Sequence, residues 1–162
     1  MKKITYLFFP FILLILASGC VGYKPIFNSE NLKFNIAEYT IVGDKMLGNK
    51  IYSQLNNLSK SQKSNVVKKS IILKINSTKT KNAVVKDSTG KVSEYKIILK
   101  INIEALDYLT NSLIFKQTFT NSTTYKTQNQ FSETLKLEHQ SINDLITKTY
   151  RDILLKISGS LT

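Results

Sequence analysis

The sequence predicts an α+β two-layer sandwich, with two helices packed on one face of a four-stranded mixed sheet in the order β-α-β-β-β-α. Three observations predict it. First, Tyr95, Ile97, Leu99, Ile101, Ile103 and Ala105 fall on one face of a strand, while Glu94, Lys96, Lys100, Asn102 and Glu104 fall on the other with only Ile98 apolar among them. This is the alternation of an antiparallel strand covered on one side. Second, two segments, one early and one late, carry apolar residues at helical spacing. Third, short polar turns separate the later strands, so they can pair as a meander. A sheet with one apolar face needs a cover, and the two amphipathic helices supply it.

The elements follow in order. Leu32-Lys33-Phe34-Asn35-Ile36 alternates and predicts a first strand running to about Ile41. Gly43-Asp44 is a helix-start signal, because the Asp44 carboxylate can accept from free amides of the first turn. Leu47, Ile51, Leu55 and Leu58 then recur at helical spacing. Gly48 weakens that helix. Ser59 to Ser70 is polar and lysine-rich and reads as a loop. Ile71, Leu73 and Ile75 begin a second strand that can extend to Val85, and Asp87-Ser88-Thr89-Gly90 supplies the turn. The alternating third strand ends at a second turn, Tyr108-Leu109-Thr110-Asn111. Leu113, Phe115 and Phe119 mark a fourth strand to about Thr124, interrupted on its apolar face by Gln117. From about Gln128 the period changes. Phe131, Leu135, Ile142, Leu145, Ile146, Thr149, Ile153 and Ile157 share one broad face of a long helix, with Leu137, Leu154 and Leu155 off it and Gly159 as its stop.

The amino terminus reads differently. Met1-Lys2-Lys3 is basic, and Tyr6 to Ala17 is almost wholly apolar. A run of about a dozen residues suits a secretory signal and is short for a spanning helix; Pro10 argues the same way. Ala17-Ser18-Gly19 offers small residues for a peptidase, and Cys20 follows at once. That is a bacterial lipobox pattern, with Ala17 where leucine is usual and Leu16 one place further off. It predicts a signal peptide at 1–19, a lipidated tether at 20–30 and a single domain at 31–162. The alternative is an ordinary cleaved signal with Cys20 as a free thiol. Val21 in place of an acidic residue points to the outer membrane, on its periplasmic side. Cys20 is the one cysteine, so neither a disulfide framework nor a cysteine metal site is expected.

The formal net charge is +12, nearly all from lysine. Such a balance suits an anionic partner. Nucleic acid is not expected for an exported lipoprotein; phospholipid and lipopolysaccharide phosphates are the anions at hand. An AT-rich genome would give the same lysine excess, so position matters more than count. Lys79, Lys81, Lys86 and Lys91, with Lys96 nearby, are expected around the tip of the second–third hairpin, where they can converge on a compact phosphate. A solvated hairpin kept soluble by lysine is the bland alternative. No catalytic constellation accompanies them. His139 is the one histidine, no nucleophile-elbow or HExxH pattern is present, and Gly90 stands alone. Neither an enzyme nor a cofactor is expected.

The stretch after Cys20, Gly22-Tyr23-Lys24-Pro25-Ile26-Phe27, resembles the mature start of LptE-type lipopolysaccharide-assembly lipoproteins. The element order is similar throughout, as are Ser93 to Ile103 and the late helix around Asp144-Leu145-Ile146 and Asp152-Ile153-Leu154. Val21 departs from the pattern, since many relatives place glycine directly after the cysteine. The resemblance implies a non-enzymatic subunit that plugs the LptD outer-membrane β-barrel, helps it assemble, and binds lipopolysaccharide. It further implies lipopolysaccharide contacts from Lys86 or Lys91 on the hairpin and from Lys136 near the last helix's start. A free-standing periplasmic lipoprotein that binds phospholipid or another anionic ligand is the second reading.

Overall fold

The computed structural model describes residues 34–61 and 68–161. The expected signal peptide, Cys20, the tether and Leu32 lie outside the described residues. The elements are β1 (Phe34–Gly43), α1 (Lys45–Ser61), β2 (Lys69–Lys86), β3 (Val92–Asp107), β4 (Leu113–Lys126) and α2 (Phe131–Leu161). The sheet order is β1-β2-β3-β4, with β1 parallel to β2 and the other pairs antiparallel. This is the expected mixed sheet and the expected element order.

Alternation builds the core. Leu73, Ile75, Leu99, Ile101 and Ile103 point from the sheet's centre toward the helices and are fully buried. Leu47, Ile51 and Leu55 of α1 and Leu145, Ile153 and Ile157 of α2 meet them. Each such side chain contributes roughly 1.5–3 kcal/mol by leaving water. Buried polar residues are built into this layer. Asn121 of β4 donates to Thr149 Oγ1 at 3.1 Å and Asp152 Oδ2 at 2.9 Å, which fixes α2 on the sheet. Ser77 of β2 donates to the Asp44 carbonyl at 2.7 Å.

The junction between β1 and α1 is tight. Asp44 caps α1 as expected, with its Oδ1 accepting from Leu47 N–H at 3.0 Å. Gly43 before it has φ +83°, and a Cβ there would run into the Ser77 carbonyl oxygen. Gly48, which weakens the helix in sequence terms, sits where a Cβ would strike Ile41 Cγ2. Close packing of α1 on β1 therefore outweighs the roughly 1 kcal/mol lost in helix propensity.

Four expectations are corrected. The segment from Ser59 is helical through Ser61, because the buried Ser59 hydroxyl donates back to the Asn56 carbonyl at 2.9 Å and keeps the chain wound. Gly159 does not stop α2, which runs to Leu161 with Gly159 outside the left-handed region. Leu154, expected off the buried stripe, is in the core. It lies one turn past Tyr150, whose hydroxyl donates to the Gln54 carbonyl at 3.5 Å, and this flank of α2 packs toward α1 as well as the sheet. Phe131 and Leu135 are exposed, Phe131 by 75%. At that level the inward positions belong to Thr134 and Glu138, whose polar partners hold the helix in a phase that leaves the two apolar residues outside.

Candidate functional site

Beyond Ser77, β2 no longer has β1 beside it, and β2 and β3 continue as a projecting hairpin. Its turn is built by Asp87. One carboxylate oxygen accepts from Thr89 N–H at 2.9 Å, Thr89 Oγ1–H at 2.6 Å and Lys91 N–H at 3.0 Å. The Thr89 hydroxyl chiefly, with these amides and the Lys91 charge, holds the Asp87 carboxyl below its ordinary range. Gly90 takes the left-handed conformation, φ +84°, that closes the turn. Lys86 and Lys91 flank this turn, both exposed.

The structure separates the hairpin lysines. Lys79 and Lys81 do not sit at the tip. Both continue the inward parity of Leu73, Ile75 and Ser77, and so lie on the helix side of β2. Lys79 pairs with Asp44 Oδ2 at 3.9 Å. Lys81 pairs with Glu138 of α2, and its ammonium lies 4.3 Å from the centre of the Tyr95 ring and 5.7 Å from that of Tyr125. The two rings are stacked at 5.8 Å, and the Tyr125 hydroxyl donates to Glu138 Oε2 at 2.9 Å. Spacing along one strand predicts a cluster at the tip; the pleat instead turns both Lys79 and Lys81 to the helix side, where Asp44 and Glu138 take them. Lys96 faces the uncovered side of the sheet, opposite Asn82 and Thr124. Lys136 is exposed on α2.

This latch fastens the hairpin to α2. Burial pushes the Glu138 carboxyl up, but hydrogen bonds from Lys81 and Tyr125, with the charges of Lys81 and His139, outweigh it and leave the group below its usual range. For Lys81, burial lowers the ammonium and the Glu138 and Tyr125 partners more than restore it. A carboxyl depressed in the folded state adds stability above its unfolded pKa and loses that contribution as pH falls through the folded value. The latch should therefore hold at neutral pH and weaken progressively as pH falls below the ordinary carboxyl value of 4.5. In chemical unfolding at a series of pH values, Glu138→Gln should be less stable than the parent at pH 7, with the gap narrowing toward pH 3. A gap independent of pH would show that Glu138 acts by shape and not by charge.

Between the latch, the turn and the start of α2 lies a cleft of about 350 Å³. Lys81 and Lys91 supply its cations; Val92, Tyr95, Phe131 and Leu135 supply apolar wall. Lys86 pairs across the hairpin with Val92, beside the cleft, while Lys136 does not line it. Glu138 also lines the cleft and holds Lys81, so the site presents the Lys91 ammonium next to exposed apolar side chains, which suits an amphipathic anion. Sequence reading missed Phe131 and Leu135 as surface residues, since their spacing also fits a buried stripe. It missed the Tyr95–Tyr125–Glu138 latch because its members are far apart in sequence. A larger groove of about 840 Å³ between α1 and α2 is lined mostly by neutral polar side chains, and its one cation, Lys50, is bonded to Asn143 Oδ1 at 3.1 Å.

No described element covers the sheet face away from the helices, and that face is polar along most of its length. Register sets Asn76, Asn102 and Thr118 in one row, Thr78, Lys100 and Thr120 in the next, then Thr80, Ile98 and Ser122.

No family model matches the chain, and no curated protein matches it. Solved structures do. Lipoprotein B from Nitrosomonas europaea aligns with a TM-score of 0.61 at 15% identity, over 85% of this chain and 91% of that one. Rare lipoprotein B from Shewanella oneidensis aligns at 0.54 and 12% identity, over 76% and 96%. A minor lipoprotein from Acinetobacter baumannii aligns at 0.56 and 13% identity, over 78% and 92%. At these identities the likeness establishes a shared fold.

Proposed function

We propose that the chain is an outer-membrane lipoprotein of LptE type, anchored through Cys20, that plugs an LptD-type β-barrel and binds lipopolysaccharide during its insertion into the outer leaflet. The observation that carries the reading is the corner where Lys86 and Lys91 flank a rigid turn beside exposed Phe131 and Leu135. Lipopolysaccharide joins phosphates to acyl chains, and this corner offers a complement to each. Lysine meets a phosphate as a flexible point charge, able to compete with the divalent cations that bridge neighbouring molecules. Lys81 is committed to Glu138 and serves the site by holding the hairpin against α2. Lys79 is likewise engaged with Asp44, and Lys136 is an exposed cation one residue beyond Leu135. The polar uncovered sheet face supports the plug part of the reading, since barrel lumens are lined by polar side chains. The lipoproteins that share the fold support the anchored part.

Lys86→Glu combined with Lys91→Glu tests the corner. Both side chains are exposed, so folding should be unaffected. Exposed ionic contacts are worth less than about 1 kcal/mol each, and reversal adds repulsion, so binding to purified lipopolysaccharide should fall roughly tenfold at low salt and less at high salt. Association with the barrel should survive. Undiminished lipopolysaccharide binding at low salt would remove the corner from the account.

A further inference from the structure

The end of the sheet opposite the hairpin tip carries a second surface. Register places Ile72, Leu106 and Leu113 in one row across β2, β3 and β4, on the side the helices leave uncovered. The β3–β4 turn adds Tyr108 and Leu109, and Leu109 is 86% exposed. This turn is ordered. Asp107 Oδ1 accepts from Leu109 N–H at 2.9 Å and Thr110 N–H at 3.1 Å, while Tyr108 N–H donates to the Ser70 carbonyl at 3.1 Å. The leucines are therefore held outward by fixed backbone. Single exposed leucines are ordinary; a row of apolar side chains continued by its own turn is a patch that asks for a partner.

Its rim is cationic. The next row inward is Lys74, Glu104 and Lys116, with the lysines 3.2 Å and 2.8 Å from the carboxylate, and Lys69 lies 3.5 Å from Asp107. These three lysines face two carboxylates and are about half exposed. The chain also enters here. β1 begins at Phe34 opposite Lys69, and Ile71 lies opposite Asp107, so the segment from Cys20 arrives at the apolar end and the hairpin tip is at the far end. At roughly 3.3–3.6 Å per residue, that segment spans at most about 50 Å.

We propose that this end docks on an anionic phospholipid bilayer. Leu109 and Leu113, backed by Tyr108, Leu106 and Ile72, enter the boundary between headgroups and acyl chains, and Lys69, Lys74 and Lys116 lie among the phosphates. No described helix is long and apolar enough to cross a membrane. The proposal rests on the anchoring part of the reading above and concerns the anchored chain before it enters a barrel: an acylated Cys20 brings this end to the bilayer, and the patch fixes the domain's orientation there.

The test uses the mature chain in vesicles of phosphatidylethanolamine and phosphatidylglycerol. Cys20 is the one native cysteine, and acylation blocks its thiol. Leu109→Cys and, separately, Ser88→Cys therefore each accept a single environment-sensitive fluorophore. The label at 109 should be quenched by nitroxide-bearing lipid and protected several-fold from iodide, and the label at 88 should show the reverse. Equal exposure of the two labels to iodide on vesicle-bound protein would overturn the proposal. Shielding of the 109 label from both quenchers would mean self-association through the patch and would also overturn it. The mass of the amino-terminal peptide reports acylation separately. Should Cys20 prove unmodified, the anchoring reading fails by itself, and flotation of the unacylated chain decides the patch. Flotation of the parent with anionic vesicles, lost in Leu109→Asp with Leu113→Asp, supports docking; a parent that does not float overturns it.

Discussion

Gly43→Ala is expected to destabilise the protein by roughly 2–4 kcal/mol. Two costs combine. At φ +83° an L-residue is disfavoured by about 1–2 kcal/mol. The added methyl group would also meet the Ser77 carbonyl oxygen, which already accepts from Asp44 N–H at 2.8 Å. Relief requires either shifting β2 or giving up that bond, in the range of about 1–3 kcal/mol usual for overpacking. Ser77 is also the last residue of β2 paired to β1, so the same junction is the root of the projecting hairpin. The measurement is urea unfolding, read as a lower midpoint at unchanged slope. A change within about 0.5 kcal/mol, the range of ordinary surface substitutions, would show that the junction has room to spare. Since small domains hold only about 5–15 kcal/mol in total, the expected loss is a large share of it.

Much of this fold is legible in the sequence. The alternation from Tyr95 to Ala105 identifies the central strand, and Asp44 announces α1 from its side-chain chemistry alone. What is not legible is tertiary. Phe131 and Leu135 carry the spacing of a buried stripe, but the inward phase at that level is set by Thr134, which accepts from Gln128 N–H at 2.8 Å, and by Glu138, which receives Lys81 and Tyr125. Polar partners brought from other elements thus decide which apolar residues remain outside. Gly159 has the composition of a helix stop but not the left-handed backbone that makes one. The hairpin lysines show the same limit. The sequence places Lys79, Lys81, Lys86 and Lys91 within a short span, while the pleat assigns Lys79 and Lys81 to the helix side and leaves Lys86 and Lys91 at the turn.

That division gives the lysines two jobs. The inward pair braces the hairpin through Asp44 and Glu138, and the outer pair flanks the turn in the open beside the cleft. A lysine bound to Glu138 between two tyrosines is poorly placed to give up its partner for a phosphate, whereas an exposed lysine at a rigid turn loses little on meeting one.

The largest effect the account predicts concerns company. A domain that plugs a barrel should not be recovered alone from its own membrane, because its polar sheet face would be matched to a polar lumen over a wide area. Purification of the native chain through a carboxy-terminal tag, from gently solubilised outer membranes, tests this most directly. The expected eluate holds the chain together with a large outer-membrane β-barrel in equal molar amounts, and the Lys86→Glu, Lys91→Glu variant retains that barrel. Recovery of the chain as a partnerless monomer would contradict the account.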